Sequence, residues 1–282
     1  MLQPNRKSFS GYIKKGYEYA SGLLLTNKEC IALLNGVSII DDGILILDDI
    51  CDQSKMRNGK PCLYKEIGIQ AAVIEAELLK LKAEKSLFLL MDKLETSEKN
   101  KTKISKLFNA FLISIYNGEK IDNELSLLKG VGDDAIKKYF EMIALFTGGH
   151  IKYSLEIGQL LANKEIDKNL SDIAVSAGII RQICDDFDDY FSEHHEPFGD
   201  FMNKKNRLPE IVFKMNGGKR EDVESFLLKK EYNKARELIL NKKVRKELYN
   251  FCKIELEKIK KIETSFNYIG IIEDFERILS SD

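Results

Sequence analysis

The chain has 282 residues, of which 44% are hydrophobic and 32% are charged, and this is enough to bury one large core in a single domain spanning residues 1–282. Its 44 Lys and Arg residues nearly balance its 45 Asp and Glu residues. The net charge of −1 therefore gives no global indication of nucleic acid or a membrane surface as a partner.

The cysteines and the apolar runs indicate the cellular compartment of the protein and whether it crosses a membrane. Five cysteines, an odd number without CxxC spacing, argue against a disulfide framework or a zinc site and favour a reducing, cytoplasmic location. The N-terminal sequence MLQPNRKSFSGYIKKG lacks the apolar segment of a signal peptide. The longest apolar runs, such as Ile44–Leu47, are too short to cross a bilayer, so no membrane span is predicted.

Proline and glycine mark the predicted elements in chain order. A polar loop is expected at Ser54–Pro61, followed by an amphipathic helix over Ile69–Leu89, where apolar residues recur every three or four positions. A turn is expected at Asn117–Asn123, and the long polar stretch Ser192–Arg207 is expected to be a loop. Because the chain from Pro61 to Pro197 lacks internal proline, we predict an all-α fold of about ten or more helices bundled around a central cavity.

The first chemical signal is a group of aspartates after an apolar run, in the sequence ILILDDICDQ. Asp48 and Asp52 share one face of a helix, with Asp49 beside them. Two carboxylates one turn apart repel each other unless a cation lies between them, and carboxylate oxygens suit Mg²⁺, which bridges to substrate phosphates. Taken alone, the segment is equally well explained as an acidic helix end beside an exposed loop.

A second cluster, in IIRQICDDFDDYF, strengthens the metal hypothesis. Asp185, Asp186 and Asp189 repeat the D-D-x-x-D spacing and again follow an apolar stretch. Two such clusters facing each other across a bundle predict a site that holds several Mg²⁺ ions around a diphosphate. Basic residues that suit phosphate oxygens follow both clusters: Lys55, Arg57 and Lys60 after the first, and Lys204, Lys205 and Arg207 after the second.

Over roughly residues 5–215 the chain resembles the trans-isoprenyl diphosphate synthase (polyprenyl synthetase) family. LDDICDQSKMRNGKP and RQICDDFDDYF resemble its two Asp-rich motifs. FTGGHIKYSLEIGQLLA resembles its Lys-Thr-Gly helix, and GDFMNKKNRLP resembles its Gly-Lys-x-Thr-Leu-Pro segment. The resemblance implies the isoprenoid synthase helical bundle, a Mg²⁺-dependent enzyme of isoprenoid biosynthesis, and a homodimer.

The same resemblance implies roles for individual residues in ionising a trans-allylic prenyl diphosphate (C10–C20) to a carbocation. Asp48, Asp52 and Asp185 are expected to be catalytic and to bind Mg²⁺ directly, with about three ions around the diphosphate. Asp49, Asp186 and Asp189 are expected to bind metal through water or to orient the other ligands. Expected diphosphate contacts are Arg57, Gln182 and Lys205, and expected cavity-lining residues are Gly43, Ile44, Phe146, Thr147 and His150.

Positions that the resemblance assigns to the co-substrate, isopentenyl diphosphate, differ from the family pattern. Phe9 stands where the last arginine of an N-terminal basic motif is expected, Asn58 replaces a second arginine, and Tyr64 replaces a histidine. On the allylic side, Phe146 replaces a lysine. Each lost charged hydrogen bond costs about 1.5–3 kcal/mol, so we expect weak binding of isopentenyl diphosphate.

Three activities follow as hypotheses. The first is a terpene synthase-like reaction, in which the cation cyclises, loses a proton or reaches another acceptor. The alternative is a chain-elongating prenyl diphosphate synthase, whose second diphosphate site is rebuilt by Arg6, Lys7, Lys14 or Lys15. The third is a non-catalytic partner subunit, which would have no need of both Asp motifs. Asp41, seven residues before Asp48, is expected either to line the cavity or to bond to a neighbouring helix.

Overall fold

The computed structural model describes residues 8–57, 59–128, 132–191 and 197–262. The predictions made for Arg6, Lys7 and Asn58 lie outside these residues. The described part of the chain forms thirteen α-helical segments and one two-stranded antiparallel pairing, which confirms the all-α prediction.

The elements follow one another in this order: α1 Phe9–Ser21, α2 Lys28–Cys51, β1 Met56–Arg57, β2 Lys60–Pro61, α3 Leu63–Ile67, α4 Ile69–Lys93, α5 Glu98–Ser126, α6 Asp133–Ile143, a π-helical segment Ala144–Gly148, α7 Gly149–Leu161, α8 Lys168–Asp188, a 3₁₀ turn Asp189–Phe191, α9 Gly199–Met202, α10 Leu208–Met215, α11 Arg220–Leu228, α12 Tyr232–Ile239 and α13 Lys242–Lys260.

The chain folds into two compact units, each built from two stretches of sequence. The first comprises Met1–Ile115 and Gly149–Ala174, and the second comprises Tyr116–Gly148 and Val175–Asp282. The long helix α5 therefore contributes its first part to one unit and its last part to the other. That the whole chain is one domain stays a prediction.

Glycines let the helices of the first unit pack closely. A Cβ added to Gly158 on α7 would lie 2.2 Å from the carbonyl oxygen of Ile13 on α1. A Cβ on Gly43 of α2 would lie 2.9 Å from the carbonyl oxygen of Ala76 on α4. The core between these helices is apolar and includes Ile31, Leu34, Val37, Leu87 and Leu155.

Buried polar pairs join the helices of the second unit. Ser176 on α8 donates a hydrogen bond to Glu255 on α13 at 2.8 Å. Glu210, at the start of α10, is buried and accepts from the Arg220 guanidinium at 2.8 Å. Because a buried carboxylate is costly without a partner, these pairs fix where the helices can pack.

The turn predicted at Asn117–Asn123 is wrong, because α5 continues through it to Ser126. Gly118, which favoured a turn, lies under the ring of Phe146, and a Cβ there would be 3.0 Å from the ring. Glycine is therefore favoured at this position by close packing against Phe146 and not by a turn. The loop predicted at 192–207 also needs correction, since the described residues after 196 include the short helix α9.

One helix of the described residues, α2, is long and apolar enough to cross a membrane by length and composition alone. Its most apolar 18-residue window has a mean hydropathy of 1.9. The same helix supplies buried residues to the core of the first unit, including Cys30, Ile31, Leu34, Val37 and Ile40. A helix of a protein core passes the same test, and 39% of this window is buried within the described structure.

Candidate functional site

The first Asp segment lies at the C-terminal end of α2. Asp48 and the helix cap Asp52 are half-buried, whereas Asp49 is buried. A helix C-terminus carries partial negative charge, and the last turn of α2 has no basic residue. Three carboxylates at this end therefore repel one another and the helix dipole, and a cation between Asp48 and Asp52 would relieve that repulsion.

Arg57 contacts this segment from the β1–β2 hairpin. Its Nη2 donates to Asp48 at 2.7 Å, and its Nε donates to Asp49 at 2.8 Å. Asp49 also faces the Cys62 thiol, and burial together with the Asp49 charge raises the pKa of Cys62 to about 11. Asp49 thus holds the hairpin to the helix end, which fits the orienting role expected for it.

The second Asp segment lies at the C-terminal end of α8. Asp185 is exposed, with Arg181 Nε 3.6 Å from its carboxylate. Asp186 is buried, and Asp189 begins the 3₁₀ turn, where its carboxylate accepts the backbone N–H of Asp200 at 3.3 Å. Burial, reinforced by Asp200, raises the pKa of Asp189 to about 7.

Asp186 is the centre of a buried network in the second unit. Tyr139 on α6 donates to one carboxylate oxygen at 2.6 Å, and the Gln182 amide donates to the other at 2.8 Å. Gln182 in turn accepts from the Thr147 hydroxyl. Burial raises the pKa of Asp186 to about 7, against the opposing charge of Arg207. Gln182 and Thr147, expected at the diphosphate and in the cavity, here position Asp186.

Lys205, an expected diphosphate contact, is buried and forms an ion pair with Asp122 on α5. Arg207 donates to the other Asp122 oxygen at 2.6 Å and to Asp200 at 2.8 Å. Although burial works against the charge, these carboxylates and Asp186 hold the pKa of Arg207 well above its usual value. Sequence reasoning missed Asp122, because it lies in the interior of a helix far from any motif.

The residues that were expected to line the cavity lie on α2, in the π-helical segment and on α7, where they pack against or hydrogen-bond to neighbouring helices. Gly43 lets α4 approach α2, and Ile44 beside it is buried. Phe146 lies half-buried in the π-helical segment, a rare geometry that often occurs at functional sites. His150 Nε2 lies 3.0 Å from Asp41 Oδ1, so Asp41 does bond to a neighbouring helix. That any of these residues contacts substrate stays a prediction.

Of the described positions expected to bind isopentenyl diphosphate, Phe9, Lys14 and Lys15 are apolar or have partners of their own. Phe9 is fully buried and stacks on Phe111 with ring centroids 4.2 Å apart. Lys14 pairs with Glu18, and Lys15 lies over the Tyr12 ring. In contrast, the Tyr64 hydroxyl is buried and has no hydrogen-bond partner among the described residues, which leaves one donor available where a histidine was expected.

The donor set fits Mg²⁺. All the expected ligands are carboxylates, which are hard oxygen donors, and the accessible Asp48, Asp52 and Asp185 suit direct binding. Asp49 and Asp186 are buried, and their oxygens accept from Arg57 and from Tyr139 with Gln182, so burial leaves these two suited to an orienting role.

Comparison with known families decides the relationship. The polyprenyl synthetase family model matches residues 17–240, well over half of the chain. The chain belongs to the polyprenyl synthetase family. This confirms the resemblance carried by the two Asp-rich motifs.

Curated members of the polyprenyl synthetase family align over part of the chain. The geranylgeranyl diphosphate synthase of Sulfolobus acidocaldarius is 27% identical over 208 residues, which are 71% of this chain and 60% of that protein. A geranylgeranyl pyrophosphate synthase of Penicillium janthinellum is 31% identical over 160 residues, which are 57% of this chain and 39% of that protein. The alignment thus spans less than two thirds of these relatives' length.

Solved structures of the family share the fold. The geranylgeranyl pyrophosphate synthetase of Pyrococcus horikoshii superposes with a TM-score of 0.76 at 20% identity, covering 99% of this chain and 86% of that one. A polyprenyl synthase of Caulobacter crescentus, solved with calcium and isoprenyl diphosphate, gives a TM-score of 0.72 at 20% identity, covering 99% and 85%. These matches confirm the isoprenoid synthase helical fold.

Proposed function

We propose that this protein is a Mg²⁺-dependent prenyl diphosphate synthase that transfers an allylic C10–C20 prenyl group to isopentenyl diphosphate. The observation that carries the proposal is the pair of D-D-x-x-D helix ends in a chain of the polyprenyl synthetase family. Each end joins an accessible carboxylate, Asp48 or Asp185, to a buried neighbour that is held by hydrogen bonds.

The proposed chemistry divides among the chain's own residues. Asp48, Asp52 and Asp185 bind the metal, and Asp49, Asp186 and Asp189 orient these ligands. These carboxylates would hold Mg²⁺, which would supply positive charge that stabilises diphosphate as a leaving group. Arg57 places a guanidinium beside Asp48 and Asp49 and bridges the two carboxylates, and Gln182 and Lys205 are proposed as further diphosphate contacts. Diphosphate departs with the bonding electron pair, leaving an allylic cation. The double bond of isopentenyl diphosphate supplies the electron pair of the new carbon–carbon bond, and the adduct then loses a proton to restore a double bond.

Elongation is preferred over the terpene synthase-like reaction expected from the sequence. The curated relatives are named geranylgeranyl, geranylfarnesyl and short-chain isoprenyl diphosphate synthases, and these names support the alternative hypothesis. Tyr64, at the position of the missing histidine, has a hydroxyl without a hydrogen-bond partner among the described residues, and we propose that it donates to isopentenyl diphosphate.

Product analysis tests this proposal. Pure protein is incubated with Mg²⁺ and geranyl, farnesyl or geranylgeranyl diphosphate, with and without isopentenyl diphosphate. Products one isoprene unit longer, formed only with isopentenyl diphosphate, are expected. Hydrocarbon or alcohol formed without it would support the terpene synthase-like reaction, and no turnover with any substrate would favour a non-catalytic subunit.

The metal ligands need a separate test. Asp48→Asn and Asp185→Asn are each expected to lower kcat by about 100-fold or more and to raise the Mg²⁺ concentration needed for half-maximal rate. Asp172→Asn is the matched control, because Asp172 is an exposed aspartate on α8, the same helix as Asp185. Equal activity of all three variants would remove these aspartates from the metal site.

We also propose a homodimer in a reducing compartment such as the cytoplasm. Homodimers are typical of the family, and α4 carries an exposed apolar row at heptad-like spacing: Ile74, Leu78, Leu81 and Phe88. Exposed rows of this kind commonly mark protein contacts. All five cysteines are present as thiols, which suits a reducing environment.

A further inference from the structure

The C-terminal end of α8 gathers negative charge. Four aspartates lie there within five residues: Asp185, Asp186, Asp188 and Asp189. The last turn of α8 has no basic residue, and Arg181 Nε, one turn earlier, lies 3.6 Å from Asp185. The carbonyl groups that end a helix add partial negative charge and lack donors within the helix. A cationic donor from another element would therefore stabilise this end.

Arg236 on α12 is such a donor. Its Nε donates to the carbonyl oxygen of Tyr190 at 2.9 Å, in the 3₁₀ turn that follows α8. Its guanidinium also lies over the ring of Phe191, with Cζ 4.5 Å from the centroid. A hydrogen bond to a terminal carbonyl and a cation over a ring both restrict the turn. Arg236 thus fixes the chain at the residue that follows Asp189.

A second aromatic contact extends this support to α13. The rings of Phe187 and Phe191 have centroids 5.1 Å apart and are tilted by 37°. Arg245 on α13 lies over Phe187, with Cζ 5.9 Å from the centroid. Phe187 is two residues from Asp185 and so points about 200° around the helix from it. These contacts therefore support α8 without covering Asp185, which is exposed.

The two guanidinium groups lie near each other despite their mutual repulsion. Burial and the charge of Arg245 both lower the pKa of Arg236, although a guanidinium remains protonated at neutral pH. The other hydrogen bond of Arg236, at 3.1 Å, goes to the neutral side-chain oxygen of Asn233. The negative end of α8 is the feature that favours two positive charges at this place.

We propose that Arg236 is a positioning residue that fixes the second Asp segment for metal binding. The inference rests on the proposed function. Mg²⁺ demands near-ideal octahedral geometry, so ligands on a loose turn must be ordered when the metal binds. Arg236 acts through its hydrogen bond to Tyr190, which holds Asp189 and the helix end that carries Asp185. Loss of a residue that orients metal ligands typically weakens metal binding by about 10- to 100-fold.

Binding of Mn²⁺ in the presence of inorganic diphosphate, measured by electron paramagnetic resonance, tests this role without turnover. In Arg236→Gln the amide nitrogen stands as many bonds from the backbone as the arginine Nε, so a donor remains while the charge is lost. In Arg236→Met no donor remains. The Mn²⁺ dissociation constant is expected to rise about tenfold in Arg236→Met and to stay within about threefold of wild type in Arg236→Gln. Lys234→Met is the control on the same helix, because Lys234 contacts Glu231 and the Phe226 ring.

The outcomes separate the two proposals. An unchanged dissociation constant in Arg236→Met would overturn the positioning role, and so would an equal rise in Arg236→Gln or Lys234→Met. Tighter binding in Arg236→Met would also overturn it, because loss of a nearby positive charge alone has that effect. Failure of Arg236→Met to fold, judged by circular dichroism, would assign the arginine to the fold as a whole and overturn the role. A wild-type protein that elongates no allylic substrate would instead overturn the proposed function, and Mn²⁺ binding would still decide the role of Arg236.

Discussion

At each Asp-rich helix end, the two adjacent aspartates differ in their surroundings. Asp48 is half-buried and Asp185 is exposed, whereas Asp49 and Asp186 are buried. Adjacent residues on a helix point about 100° apart, so one can face the substrate while the other faces the protein. This division explains why two aspartates in sequence serve better than one: the second fixes the helix end that presents the first.

Arg57 is expected to be essential because it neutralises two carboxylates that otherwise repel each other and a diphosphate. Arg57→Ala should lower kcat by about 100-fold, and Arg57→Lys should recover only part of it, because one ammonium nitrogen cannot reproduce the bridge that the guanidinium makes between Asp48 and Asp49. Steady-state kinetics with varied allylic diphosphate measures this. Lys164→Ala, at an exposed lysine between α7 and α8, is the control, and an equal loss there would contradict a specific role for Arg57.

Asp186 makes stability depend on pH in the metal-free protein. Its folded pKa is raised to about 7 by burial, so the unfolded chain loses the proton first as pH rises. The contribution of Asp186 to the free energy of unfolding is therefore fully present below about pH 4 and is lost as the pH rises to about 7. Asp186→Asn removes this penalty and is expected to melt several degrees higher than wild type at pH 8 in EDTA, with the difference vanishing near pH 4. A lower melting temperature of the variant at pH 8 would contradict this.

Residue-level prediction from sequence succeeds where spacing carries the signal and fails where the partner is remote. The metal ligands and Arg57 follow from i, i+4 periodicity and from motifs. Tyr139 and Asp122 could not be predicted, because Tyr139 is 47 residues from Asp186 and Asp122 is 83 residues from Lys205. Only folding brings these buried partners together.

At the scale of elements, the described glycines mark close packing more often than turns. Gly118 lies inside α5, and Gly158 lies where α7 crosses α1. The proline-free stretch correctly predicts long helices, because proline is a strong local signal. A glycine under a neighbouring ring or backbone has the same local signal as a glycine in a turn, and this is why the turn at Asn117–Asn123 is wrong.

Gly158→Ala tests the crossing of α1 and α7. The new Cβ would meet backbone atoms of Ile13 and Tyr17 at 2.2 and 2.6 Å, so the helices must separate. We expect a loss of about 2–3 kcal/mol or more in the free energy of unfolding, measured in urea. Gly132→Ala is the control, because a Cβ there has no atom within 4 Å, and it should cost under about 1 kcal/mol. Similar losses in both variants would contradict the packing argument.

At the scale of the whole molecule, the fold class and the family are readable from sequence because two long-range motifs occur in a helical context. The division into two units, each built from distant stretches, is not readable, since it depends on which helices pack together. Whether the allylic cation is elongated or cyclised can be predicted from sequence only in part. Departures at Phe9 and Tyr64 favoured a terpene synthase-like reaction, while the relatives favour elongation.

The proposed homodimer predicts an effect of charge on α4. Ile74→Asp with Leu81→Asp places two charges in the exposed apolar row and should convert a dimer to a monomer, measured by light scattering after size exclusion. Lys82→Asp, also on α4, is the control for added negative charge and should remain a dimer. A wild-type monomer, or a double variant that stays dimeric, would remove this row from the interface.

The central claim is that the cation formed beside the Asp segments is captured by isopentenyl diphosphate. Its most direct test uses farnesyl diphosphate, Mg²⁺ and isotopically labelled isopentenyl diphosphate, with products dephosphorylated and resolved by mass. We predict a labelled C20 alcohol that requires both Mg²⁺ and isopentenyl diphosphate. Unlabelled hydrocarbon or alcohol, formed at the same rate with and without isopentenyl diphosphate, would contradict the claim.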